Sequence, residues 1–99
     1  MTLQVRVAGR AATQVRAAAA WWAENRPSAP GAISKDFGEA VKLLAEQPGI
    51  GAEYSGARAV GVRRLYLSRV RYFIYYRASA SHLDVLAFWH ASRGNQPVL

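Results

Sequence analysis

His90 carries the most direct offer of chemistry in this chain. An imidazole exchanges its proton near neutral pH. Arg93 follows three residues later, and Arg64 and Arg71 precede it. Cleavage of RNA by its own 2′-hydroxyl needs a base, an acid and a cation at the phosphate. His90 suits either proton-transfer role, and Arg64, Arg71 or Arg93 suits the third. The same histidine is also explained as a strand-end residue that hydrogen-bonds locally. His82 shares its strand parity and is expected on the same face, but eight residues of strand separate the two by roughly 26 Å. They cannot ligate one metal, and neither a metal nor a cofactor is expected. The serines, with Asp84 and the histidines, show no hydrolase context. With no cysteine there is no thiolate nucleophile, disulfide or Cys-ligated metal.

Charge gives a second candidate surface. The 99 residues carry a net +7. Six basic and five acidic groups precede residue 58; seven arginines and one acid, Asp84, follow, so the two parts carry +1 and +6. Arg58, Arg63, Arg64, Arg69, Arg71, Arg77 and Arg93 present planar forks that match phosphates and carboxylates. The same residues would also simply keep a small protein soluble. Tyr72, Tyr75 and Tyr76 lie between Arg71 and Arg77, an interleaving that suits stacking on single-stranded bases. Tyr72 and Tyr76 share parity with Ile74 and read as core. Trp21 and Trp22 are neighbours on a helix, so they cannot face the core equally; one is expected half exposed, as part of a partner-binding surface.

These groups must be held by few elements, because 99 residues allow one domain, 1–99. Leu3, Val5 and Val7 alternate as a half-buried strand. The alanine-rich stretch from Ala11 to Asn25 reads as a helix, with Ala12, Val15, Ala19 and Trp22 on one face. Ser28 is the expected cap of a second helix with Pro30 in its first turn. Ile33, Phe37, Val41 and Leu44 form its apolar stripe, and Gln47-Pro48-Gly49 ends it. Residues 49–61 hold four glycines and read as loop. No glycine-rich phosphate-binding pattern precedes a helix, so a nucleotide site of that kind is unsupported. Val62 to Leu67, Arg71 to Arg77 and His82 to His90 then form three strands with tight turns, an antiparallel meander. The expected fold is α+β, in the order β-α-α-β-β-β. Its antiparallel-rich sheet has the N-terminal helical hairpin packed on one face and an open, arginine-bearing face opposite. The longest apolar run, Ala17 to Ala23, is far short of the ~20 residues of a membrane span. The first residues lack the apolar stretch of a secretory signal. A cytoplasmic protein is expected.

The ordered set of segments resembles the toxins of the RelE/ParE superfamily of type II toxin–antitoxin modules over nearly the whole chain. The residues that carry it are the helix end Trp21-Trp22-Ala23-Glu24-Asn25 and the second helix with Phe37, Val41, Leu43 and Leu44. Gln47-Pro48-Gly49-Ile50-Gly51, Val62-Arg63-Arg64-Leu65, Tyr72-Phe73-Ile74-Tyr75-Tyr76-Arg77 and Val85-Leu86-Ala87-Phe88-Trp89-His90 follow, and Ala91-Ser92-Arg93-Gly94 closes the set. The chain looks most like the ParE branch, and that resemblance implies a plasmid-stabilising toxin that inhibits DNA gyrase. It also implies neutralisation by a cognate antitoxin with an acidic C-terminal segment. The RelE branch implies instead a metal-independent, ribosome-dependent endoribonuclease acting on mRNA. Here Arg64 keeps one basic position of that branch. Tyr66 stands where a second basic residue is expected, Phe73 where the middle strand would show arginine, and no tyrosine follows Tyr76. The resemblance therefore favours a protein inhibitor over an enzyme. Arg63, Arg64, Arg71, Arg77, Arg93, Trp21 and Trp22 are the expected contacts to target or antitoxin, and His90, Arg64, Arg71 and Arg93 the catalytic set if the chain is a ribonuclease.

Overall fold

The computed structural model describes residues 2–56 and 60–99. Strand β1 (Gln4–Val7) leads into helix α1 (Gly9–Asn25), helix α2 (Ala32–Glu46) and a 3-10 turn at Pro48–Ile50. Strands β2 (Ala52–Glu53), β3 (Val62–Leu67), β4 (Tyr72–Ala78) and β5 (His82–His90) follow. The sheet order is β1-β5-β4-β3-β2; β1 runs parallel to β5 and every other pairing is antiparallel. Thus the expected β-α-α-β-β-β order gains one strand. A two-residue strand has no periodicity to read, and β2 exists because Ala52 and Glu53 pair with Arg64 and Arg63.

The helices form where alanine and the apolar stripe demand them. Ala11 and Ala18 of α1 are buried, with Val15, Ala19 and Trp22 packed beside them. Ile33, Ala40 and Leu44 of α2 are buried next to Phe37 and Val41. Opposite them the sheet presents Ile74, Tyr76, Leu83, Val85 and Phe88. Fully burying side chains such as Ile33, Leu44 and Ile74 is worth ~1.5–3 kcal/mol each. Ser28 does not cap α2: the N-cap is Gly31, without a side-chain hydrogen bond, and α2 starts only after the Pro30-Gly31 turn. The strand β1 is an edge, so Val5 and Val7 are exposed rather than half buried.

One irregularity re-aims the C-terminal strand. Tyr75 pairs with Ala87 but Tyr76 pairs with Val85, which leaves Leu86 as the extra residue of a β-bulge. Leu83 and Val85 face the helices, Ala87 faces away, and Phe88 faces the helices again. The side-chain alternation therefore reverses at Leu86, and His82 and His90 lie on opposite faces rather than one. Beyond Val85 the β1-side edge of β5 has no strand partner. Helix α1 covers it instead: the Phe88 N–H donates to Gln14 Oε1 at 2.8 Å.

The face away from the helices is not open. Val62, Tyr75 and Ala87 form a second buried cluster there with Tyr54, Phe73, Leu86, Trp89 and Leu99 around it. The C-terminal segment folds back over this cluster. Trp89 Nε1–H donates to Asn95 O at 2.9 Å, and the Tyr54 and Tyr75 hydroxyls donate to Gln96 Oε1 at 3.1 and 3.2 Å. Arg10 bonds the Val98 carbonyl.

Candidate functional site

The candidate residues divide between two places. The first is a half-open groove of about 860 Å³ where the end of α1 meets the β3–β4 turn and the end of β5. Trp21, Trp22, Arg26, Tyr66, Arg69, Arg71, Tyr72, His90 and Ser92 line it, and Val70 is buried at its base. It thus gathers Trp21, Trp22, Arg71 and His90 of the sequence-derived set. Helix periodicity separates the two indoles: Trp22 packs on the core while Trp21 is 49% exposed. Arg26 lies over both rings, at 5.3 and 5.7 Å from their centroids. Its place four residues after Trp22, one helical turn on, is the signal in the sequence that pairs it with the indoles.

Arg71 does not begin β4 as its spacing suggests. It occupies the turn with φ at 64°, in the left-handed region. Its N–H donates to Leu67 O and its carbonyl accepts from Ala91 N–H at 2.9 Å, so the turn is tied to the end of β5. Holding a side-chain-bearing residue there costs ~1 kcal/mol or more. Arg69, beside it, forms a fork with Asp36 of α2 at 2.5 and 3.0 Å, and that hydrogen bond and charge raise its already high pKa. His90 packs edge-on to Tyr72 at 4.9 Å. Its Nδ1 accepts the Ser92 N–H at 3.1 Å and lies 2.6 Å from the Ser92 hydroxyl. The Ser92 backbone N–H thus occupies the Nδ1 position of the ring. The Tyr72 ring stacks on Phe88 at 4.5 Å, and burial raises its hydroxyl pKa against a smaller opposing effect of Arg93.

The second place is an aromatic box on the face away from the helices. The Arg64 guanidinium lies 4.2 Å from the Phe73 ring, 5.3 Å from Tyr54 and 5.8 Å from Tyr75, and donates to the Tyr75 hydroxyl at 3.1 Å. Arg93 stacks over Trp89 at 4.0 Å. The remaining arginines brace loops. Arg63 donates to Gly51 O at 2.7 Å, and Arg77 Nε donates to Val60 O at 3.0 Å. Arg58 lies outside the described residues. The four groups of the catalytic set are therefore not brought together: Arg71 and His90 share the groove, Arg64 occupies the box on the opposite face, and Arg93 covers Trp89. Among the described residues no three His, Asp or Glu side chains cluster as metal ligands, and no helix is long and apolar enough to cross a membrane.

Two helices cover one face of a mixed five-stranded sheet, with arginines and aromatics at its strand ends and turns: a small α+β domain. The family described as the ParE toxin of the type II toxin–antitoxin system parDE matches residues 5–94. The chain belongs to that family. A solved structure described as the chromosomal ParDE TA system from P. aeruginosa shares its fold, with a TM-score of 0.75 at 20% identity, over 92% of this chain and 98% of that one. A comparison with curated proteins finds no match.

Proposed function

We propose that this ParE-family toxin arrests growth by binding and inhibiting DNA gyrase, and that a cognate antitoxin with an acidic C-terminal segment neutralises it. The observation that carries the inhibitor reading is the separation of Arg64 from His90. The bulge at Leu86 turns His90 toward the helix side, while Arg64 sits in its aromatic box on the other face. Phosphodiester cleavage needs acid, base and cation around one phosphate; His90 has arginines beside it in its groove, but among the described residues no carboxylate and no second histidine lines that groove with it. Here Tyr66 and Phe73 fill the positions flanking Arg64 across β3 and β4, and neither supplies a cation. The family and the ParDE neighbour support the antitoxin part of the reading. The net +7 adds to it, since opposite charge speeds encounter with an acidic partner.

The test is a supercoiling assay with purified gyrase and relaxed plasmid. Loss of supercoiling with rising toxin, reversed by the product of the adjacent reading frame, is the expected result. Undiminished supercoiling at a large molar excess of folded toxin would overturn the gyrase reading.

A further inference from the structure

The groove between α1 and the β3–β4 turn has the composition of a small-molecule site, a use distinct from the protein contacts expected of Trp21, Trp22 and Arg71. Its walls carry two kinds of group. Trp21, Tyr66 and Tyr72 offer aromatic surface, with Trp21 and Tyr66 about half exposed. Arg26, Arg69 and Arg71 bring guanidinium groups, and no carboxylate is among the lining residues. Asp36 binds the Arg69 fork from outside that lining. Arg71, by contrast, has no ion pair among the described residues, and it is held at a φ that glycine would occupy without strain. A turn that retains arginine against that local preference points to a use for the guanidinium. Trp22, which also lines the groove, carries the one buried side-chain polar atom without a partner among the described residues, its indole N–H. Native structures rarely leave such a donor unmatched.

We propose that this groove binds a phosphorylated nucleoside, its base stacking on the exposed Trp21 and Tyr66 rings and its phosphate held by Arg71 and Arg26. The volume of about 860 Å³ falls within the range of small-molecule sites. Aromatic faces accept any base by stacking, and the arginine fork matches phosphate oxygens. Arg26 already lies over both indoles, so a phosphate there would meet a cation positioned beside Trp21, one of the rings that hold the base. The ligand is either a free mononucleotide or one unit of a single strand, since both present the same chemistry. The inference goes beyond the toxin reading and stands whether or not gyrase is the target.

The indole N–H resonances of ¹⁵N-labelled protein test it directly. Trp21 and Trp22 line the groove, while Trp89, bonded to Asn95 O on the opposite face, is an internal control. Millimolar AMP should shift the Trp21 and Trp22 signals and leave Trp89 in place. Adenosine alone and inorganic phosphate alone should bind at least about tenfold more weakly. Arg71→Gly should weaken AMP about tenfold, yet melt no lower than the parent, because glycine relieves the backbone strain; a bracing role would lower the melting temperature instead. A 5′-phosphorylated deoxyadenosine oligomer separates the two sources. Tighter, steeply salt-dependent binding than AMP identifies a strand, and equal binding a free nucleotide. The proposal is overturned if AMP and the oligomer leave both signals unmoved, if Arg71→Gly binds AMP as tightly as the parent, or if only a Glu-rich peptide bearing a tryptophan moves them.

Discussion

Tyr76 should be the most costly single oxygen atom to remove from this fold. Its side chain is fully buried in β4, and its hydroxyl closes the segment that follows α2. The hydroxyl donates to Pro48 O at 2.6 Å and accepts the Gly51 N–H at 3.0 Å. Tyr76→Phe keeps the ring, so it opens almost no cavity, but it leaves the buried Gly51 N–H without an acceptor. An orphaned buried donor costs about 1–3 kcal/mol. For a domain of this size that lowers the melting temperature by about 10 °C. Gly51 explains the same contact from the other side. A Cβ built there would sit 2.8 Å from Tyr76 Cε1 and nearer still to the hydroxyl oxygen. Gly51→Ala should therefore cost about 1–3 kcal/mol by overpacking, and less in the Tyr76→Phe background, where the nearest atom is gone. Urea melts of the two single variants and the double variant give the coupling. A Tyr76→Phe protein within about 0.5 kcal/mol of the parent, or strictly additive variants, would refute the reasoning. The pH dependence provides a second check. Burial raises the Tyr76 hydroxyl pKa above its ordinary 10.0, against smaller opposing effects of the Gly51 hydrogen bond and of Arg63. The folded state then holds this proton more tightly than the unfolded chain, so the contribution is complete below pH 10 and is lost as the pH rises from there through the folded value. Tyr76→Phe should flatten that alkaline decline, leaving the part due to Tyr72.

Three further outcomes follow from named contacts. Gln14→Ala strips the acceptor from the Phe88 N–H and should cost about 1–3 kcal/mol in a urea melt; Gln14→Glu, which keeps an oxygen there, should cost less. Asp84, forked by Arg6 at 2.7 and 3.0 Å, has its pKa held below 3.8 mainly by that hydrogen bond. Its contribution should be present above about pH 4 and lost as the pH falls through the lowered value. The pair is exposed, so Asp84→Asn should flatten the acid limb of a thermal-melt series only slightly, and less at high salt. His90→Ala should leave growth inhibition by the induced toxin unchanged; a fall in toxicity without loss of folded protein would return His90 to a direct role.

The strands that carry strong local signals were legible. Val62–Leu67 and His82–His90 span the residues read as strands, and the Ile33-Phe37-Val41-Leu44 stripe covers the sheet. What escaped was set by partners distant in sequence. The run Val85-Leu86-Ala87-Phe88-Trp89 is apolar throughout, so its alternation hides the bulge that sends His90 to the helix side. The parallel pairing of β1 with β5 joins residues some 78 positions apart. The return of the C-terminal segment over Tyr54 and Tyr75 rests on isolated contacts of Asn95, Gln96, Val98 and Leu99, which form no local pattern. Of the candidate site, the two indoles, Arg71 and His90 converge as one groove, while Arg64 and Arg93 stack on aromatic rings elsewhere. Arginine spacing alone does not say which guanidinium braces a loop and which faces solvent.

The most direct test of the gyrase reading follows macromolecular synthesis in the first minutes after the toxin is induced in a sensitive bacterium lacking the antitoxin. Labelled thymidine and labelled methionine are measured in parallel. Thymidine incorporation should fall first, with methionine incorporation declining later. An immediate fall in methionine incorporation while DNA synthesis continues would contradict gyrase inhibition and identify translation as the process attacked.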